Sequence, residues 1–511
     1  MSLTNTYAAH DQGFTGSGVI IGVVDSGIMR SNPSVSGRVL QELMYVDPAV
    51  NNTSIDDVVG HGTMISEIAA GTSFAQFPGG VAPGANMVSA RVVPDNGDRS
   101  TVQASGPQDA QLVSDLNSDL MSSNTNVMDN AWNSVNWSAD DTAVTQAFDS
   151  VYSAFVNPNP AIGWRGGLVV FGAGDDSQAI PSTLSALPSV ANDTNLKKGW
   201  LTVVAFNSNS PTQLASYSDQ CGLSMNYCLA APGDVVALDK DATSSTTSPS
   251  YHIVESTSVA SSIVSGAAAL VWQAYPYFTN EQVAQTLLTT ATPLGAPPPN
   301  PVFGQGAVNV GSAVNGPAGF IFSNMTTGFS GTSSWNNPIS GTYGLTFQGP
   351  GTLNLTQPSR YTGATNVEAG TLNVVSLAGN VTTNQGAVLG PSRPTGIVSI
   401  GGSVVNNGVF VARGGNTNVS GNYSQGTTGR LALSLDSAVN VTGAATLSGD
   451  LYVYACVPGY AANGRIKILS AEGGLTGSFA SLDYAPGAVV SATLSYDANN
   501  VWLNVTSTNC S

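Results

Sequence analysis

The chain changes pattern once, near residue 318, and the pattern on each side admits few folds. Before that point, GVIIGVVDSG, ANMVSARVV, LVVFGAG and WLTVVAF read as buried strands. Between and after them, SVASSIVSGAAALVWQAYP and TNEQVAQTLLTTATP read as helices, the second with Thr279 as its N-cap. Strands alternating with helices predict an α/β domain over residues 1–318, a mainly parallel sheet flanked by helices. The proline-rich stretch ATPLGAPPPNPVFGQG reads as a surface connection. From Phe320 onward the helical pattern is gone. GTLNLTQ, ATNVEAGTLNVV, GIVSIGGSVVNNGVFVA and AVNVTGAATLSGDLYV are short alternating strands punctuated by Gly and Asn. Each such unit is too small to bury its own apolar face, and stacking the units into a solenoid removes the problem. Residues 319–511 are therefore predicted as an all-β, β-helix-like stalk, with a β-sandwich as the competing arrangement.

Composition fits this division. The 57 glycines outnumber the 14 basic and 31 acidic residues together, and 42% of the 511 residues are hydrophobic, enough for a sizeable core. A net charge of −17 excludes nucleic acid and an anionic membrane surface as partners, since either needs a basic face. No apolar run approaches the roughly 18 residues of a membrane helix. The start, MSLTNTYAAHDQGF, lacks the basic and apolar regions of an export signal, so the chain is expected to be a soluble mature fragment. Four cysteines, Cys221, Cys228, Cys456 and Cys510, lack zinc-site spacing. They fit two disulfides, Cys221 with Cys228 and Cys456 with Cys510, and so an oxidising compartment; four unpaired buried thiols are the alternative.

The histidines narrow the search for chemistry. There are three: His10, His61 and His252. His61 lies in GHGTMISEIAAG between two glycines, which let other backbone approach an imidazole at a helix start. Upstream, the apolar run GVIIGVV ends in Asp25, and functional groups of open α/β sheets gather at such strand ends. Downstream, Ser258 opens a small-residue helix, where free N–H groups and the positive dipole end favour a nucleophile whose intermediate is an oxyanion. His10 and His252 sit in no such setting and read as structural.

Asp25, His61 and Ser258 follow the chain order of the subtilisin triad. Residues 1–318 resemble the subtilisin-like serine proteases (subtilases), through VVDSGI, GHGTMISEIAAG and STSVASSIVSGAAAL, with GGVAPGANMVSARVV, LAAPGD and FGQGAVNVGSAV in support. The resemblance implies an endopeptidase acting on protein substrates, with Ser258 as nucleophile, His61 as base and Asp25 as its orienting carboxylate. It also implies an oxyanion hole at Ser258 and position 175, and substrate-binding segments Ala131-Trp132-Asn133 and Gly172-Ala173-Gly174. Several residues depart from the family pattern. Asp175 stands where the family carries a donating Asn, Asn133 where it prefers Gly, Ser256 where it has Gly, and Ser262 where it has Pro. An ionised Asp175 has no proton to donate, whereas a protonated one has. The readings are a native variant with reduced or acid-shifted activity, which is preferred, a deliberate inactivation, or an enzyme lost to binding. Asp129 and Asn130, just before the substrate segment, read as a solvated turn.

A second resemblance covers the other half. GPGTLNLTQPSRYTGATNVEAGTLNV looks like the passenger-associated repeat of autotransporters of Gram-negative bacteria, and Cys221 to Cys228 followed by LAAPGD looks like the subtilase branch of that family. This implies a monomeric protease on a β-helical stalk, exported through the periplasm and secreted or displayed on the cell surface. The outer-membrane translocator barrel that would export it is absent from this sequence. No cofactor is expected. The family often binds Ca²⁺, but the segment from His61 to Gly80 has no carboxylate-rich loop, so no metal site is assigned. The rival from another class is a non-catalytic adhesin or scaffold that keeps the fold and binds through the solenoid.

Overall fold

A computed structural model describes residues 1–97, 106–132, 135–455, 464–485 and 491–507. The chain divides into two units, Met1–Val314 and Asn315–Ser511, four residues before the boundary expected from the sequence.

The first unit is built on one eight-stranded sheet. Its strands are β1 (Ile20–Asp25), β2 (Val39–Met44), β3 (Asn86–Arg91), β4 (Val127–Asn130), β5 (Leu168–Gly172), β6 (Trp200–Asn207), β7 (Ser210–Leu214) and β8 (Cys228–Pro232). The order is β2-β3-β1-β4-β5-β6-β7, with β8 also on β6; only the β6–β7 pairing is antiparallel. Two further strands, β9 (Asp234–Leu238) and β10 (Tyr251–Glu255), form a separate antiparallel ribbon. The helices are α1 (Thr6–His10), α2 (His61–Ala70), α3 (Ala110–Ser122), α4 (Thr142–Val156), α5 (Leu187–Val190), α6 (Thr257–Ala274), α7 (Asn280–Thr289) and α8 (Val310–Ala313).

The central strands β1, β4, β5 and β6 are buried along nearly their whole length because both faces are covered. The chain passes from β1 to β2 on one side of the sheet and from β4 to β5 on the other, which makes the carboxyl ends of β1 and β4 the crevice where such sheets place ligands. The helix α6 explains its own composition. Every residue from Thr257 to Trp272 is buried, so its surface must be small or apolar all round. Thr279 caps α7 as the sequence predicted, its hydroxyl accepting from Gln282 N–H at 3.3 Å.

The second unit is a solenoid. Among the described residues three ladders of eight, eight and seven strands run along it, parallel except at the end of the third, and their parallel strands are contributed in turn by successive rungs. In one ladder Leu353, Leu372, Leu389, Phe410, Leu431, Leu451 and Leu482 lie in register, stacking apolar side chains rung upon rung. Asparagines form shorter stacks of the same kind: Asn373 donates to Asn354 at 2.9 Å and Asn440 to Asn418 at 3.1 Å. A β-sandwich is ruled out by this parallel register. The parallel order ends at the last ladder, where Gly464–Ala471 pairs antiparallel with Asn500–Ser507, and that strand antiparallel with Ser491–Tyr496. Among the described residues no helix is long and apolar enough to cross a membrane.

Candidate active site

Asp25 is the last residue of β1 and His61 the first of α2, and both are buried. Their approach depends on Gly62: a Cβ there would overlap the carbonyl of Gly27 and press on the Asp25 side chain. His61 Nδ1 lies 2.9 Å and 2.8 Å from the two Asp25 oxygens. A carboxylate only accepts, so Nδ1 carries the proton and donates, which leaves Nε2 as the basic nitrogen. Nε2 is buried and has no hydrogen-bond partner.

Ser258 is the second residue of α6 and is 2% exposed. Its hydroxyl donates to the carbonyl of Ala131 at 2.7 Å, and its N–H donates to Ser256 Oγ at 3.0 Å. The helix α6 packs against α2 and against β4, bringing the serine to the crevice where β1 and β4 end. No hydrogen bond joins Ser258 to His61 in this resting arrangement, as is common where no substrate aligns the groups.

Among the described residues, Asp175 accepts two hydrogen bonds from the start of α6. Its Oδ1 accepts from Thr257 N–H at 2.7 Å and its Oδ2 accepts from the Ser256 hydroxyl at 2.6 Å. The carboxylate thus caps the first turn of α6, where a negative charge complements the helix dipole. The Gly172–Gly174 segment follows β5 beside it. Ala173 N–H donates to Val203 O at 2.8 Å, and Gly174 N–H to the Thr257 hydroxyl at 3.2 Å. Of the other substrate segment, Ala131 and Trp132 are buried; Trp132 donates to Asn130 Oδ1 at 3.1 Å and meets Phe171 edge to face. Asn133 lies outside the described residues, as do Cys456 and Cys510. Cys221 and Cys228 form a disulfide. His10 Nε2 donates to the carbonyl of Val81 at 2.8 Å, and His252 sits half exposed beside Asp239.

The reading of Asp129 and Asn130 as a solvated turn is wrong. Both lie in β4 and are fully buried, because β4 is flanked by β1 and β5 with Asp129 in register with Val23 and Val170. A polar Asp-Asn pair mimics a turn in sequence; only the strand's central place in the sheet overrides it. Ser261 on α6 donates to Asp129 Oδ1 at 3.0 Å. Burial pushes the Asp129 carboxyl up to about 7, serine hydroxyls of α6 partly offset this, and the Asp25 charge adds to it. Two further residues escaped sequence reasoning. Ser256 stands out only as a departure from Gly, yet it links Asp175 to Ser258 N–H. Asp219 has no motif at all, and it is buried against the Gly174–Gln178 turn.

Comparison with known proteins accords with this geometry. Residues 16–306 match the subtilase family, and residues 345–374 match the passenger-associated-transport-repeat. The chain is 28% identical to the neisserial autotransporter lipoprotein NalP of Neisseria meningitidis, over 89% of its own length and 48% of the relative's. It is 32% identical to serotype-specific antigen 1 of Mannheimia haemolytica, over 48% of this chain and 26% of that protein. It is 26% identical to an extracellular serine protease of Serratia marcescens, over 74% of this chain and 42% of the protease. The chain spans about half the length, or less, of these curated relatives. With more than half of its residues inside the first of these matches, the chain belongs to the subtilase family.

Proposed function

We propose that this chain is a serine endopeptidase that cleaves protein substrates through an acyl-enzyme, and that it works secreted from or displayed on a Gram-negative cell. The observation that carries the reading is the buried Asp25–His61 pair with an unpartnered Nε2, at the start of a helix packed against α6, whose first turn carries Ser258. On substrate binding the Ser258 hydroxyl leaves the Ala131 carbonyl for His61 Nε2. Its Oγ then attacks the scissile carbonyl, and the proton passes to Nε2. The C–N bond breaks as His61 delivers that proton to the leaving amine. Water, deprotonated by the same imidazole, releases the acyl group and restores the serine. Asp25 holds the imidazole in its tautomer and stabilises the imidazolium. Location outside the cytoplasm is supported by the Cys221–Cys228 disulfide, the passenger repeat and the similarity to NalP.

Stabilisation of the oxyanion is the weak point of the site. In this reading Ser258 N–H turns from Ser256 Oγ toward the developing charge, while Asp175 contributes a negative group instead of a donor. Loss of one such donor costs about 10²–10³ in rate, roughly 3–4 kcal/mol. The Asp175→Asn variant keeps an acceptor for Thr257 N–H and gains an N–H₂ donor. Casein hydrolysis at pH 7 is expected to vanish in Ser258→Ala and to rise by about tenfold or more in Asp175→Asn. No gain in the second variant removes Asp175 as the limiting group. A non-catalytic scaffold is the second reading, favoured by the engagement of both the Ser258 hydroxyl and its N–H within the protein. It expects no Ser258-dependent hydrolysis at any pH.

A further inference from the structure

A hydrogen-bonded path leads from Asp219 to the first turn of α6. Asp219 is 2% exposed. Its Oδ1 accepts from the backbone N–H groups of Asp176, at 3.2 Å, and Gln178, at 2.6 Å. Its own N–H donates to Gly174 O at 2.8 Å, and Gln220 N–H to Gln178 O at 2.9 Å. The other carboxylate oxygen, Oδ2, occupies the space a Cβ on Gly174 would need, and Gly174 takes φ +129°, a conformation only glycine adopts readily. The turn from Gly174 to Gln178 is thus folded around one carboxylate. On its far side the same turn carries Asp175, whose oxygens take Thr257 N–H and the Ser256 hydroxyl, and Ser256 in turn takes Ser258 N–H. Gly174 N–H closes a second link to the Thr257 hydroxyl.

We propose that Asp219 is a positioning residue for proteolysis: its carboxylate fixes the Gly174–Gln178 turn, which sets Asp175 and the first turn of α6 and so the placement of Ser258. This rests on Ser258 being the nucleophile. Asp219 touches neither substrate nor reacting atoms; it acts through the geometry of the groups that do. A shift of about 1 Å at a nucleophile is enough to lose about 10² in rate, and such a loss falls on kcat.

The test measures hydrolysis of an N-acyl amino-acid p-nitrophenyl ester, the rate of labelling by a fluorophosphonate, and thermal unfolding. Wild type is compared with Asp219→Asn, Asp219→Ala and Asp219→Glu. Ala removes the acceptor of the Asp176 and Gln178 N–H groups, and kcat is expected to fall about 10²-fold with KM within about threefold. Labelling slows by a similar factor. Asn retains an acceptor oxygen and restores kcat to within about tenfold of wild type. Wild-type kcat in folded Asp219→Ala, a loss confined to KM, or an Asn variant no better than Ala overturns the proposal. Should the Ala variant fail to fold, Asp219→Glu displaces the turn by one methylene, and wild-type kcat there overturns it equally. A wild-type chain labelled no more than Ser258→Ala removes the nucleophile reading and this inference with it. A labelled wild type with unaffected Asp219 variants removes this inference alone.

Discussion

Asp129 shows how far one residue can depart from what its neighbours in sequence suggest. Held at about 7 by burial, it keeps its proton in the native state where the unfolded chain releases it near 3.8. Between those values the native state binds more protons, so stability falls as pH rises from about 4 to about 7 and is level beyond. Glu67, buried in α2 and pushed up to about 8, adds a slope of the same sign. Asp129→Asn stays neutral and keeps an acceptor for Ser261. The melting temperature of wild type is expected to drop from pH 4 to pH 7, by an amount equivalent to roughly 2–4 kcal/mol, and that of Asp129→Asn to drop less. Parallel curves for the two proteins would contradict this assignment. Asp25, His61 and Ser258 were legible because each closes or opens an element in a motif of fixed type. Asp129, Ser256 and Asp219 were not, because their roles come from contacts across 43 to 132 positions of sequence that no local pattern records.

Elements of the two units were legible to different degrees. Period-2 patterning with Gly and Asn turns marked the solenoid strands, since each rung repeats one problem, the burial of a single apolar face. The antiparallel pairing of Gly464–Ala471, Asn500–Ser507 and Ser491–Tyr496 was not legible, because an alternating strand reads the same in either direction. Within the stack, position matters more than residue type. Leu389 is fully buried in the apolar ladder, whereas Val405, on a neighbouring ladder, points outward and is 39% exposed. Leu389→Ala is expected to cost about 2–5 kcal/mol in denaturant unfolding and Val405→Ala about 0.5 kcal/mol or less. Equal costs would mean that the rungs do not share a packed interior.

For the whole molecule, the low charge and high glycine content now have two separate physical causes. In Met1–Val314 glycine serves close approach, as at Gly62 and Gly174, around a site formed where β1 and β4 end. In Asn315–Ser511 it serves the turns of a stack that needs few charges to fold. The fold class followed from pattern alone; the state of the site did not, since the Ser258 hydroxyl rests on Ala131 O and Asp175 accepts where a donor was looked for. The central claim is that Ser258, activated by His61, is the nucleophile. Its most direct test is the mass of the chain, and of its proteolytic peptides, after exposure to a fluorophosphonate. One phosphonyl adduct on the peptide carrying Ser258, lost in both Ser258→Ala and His61→Ala, is the expected result. An unmodified Ser258 at every pH at which the chain stays folded would contradict it.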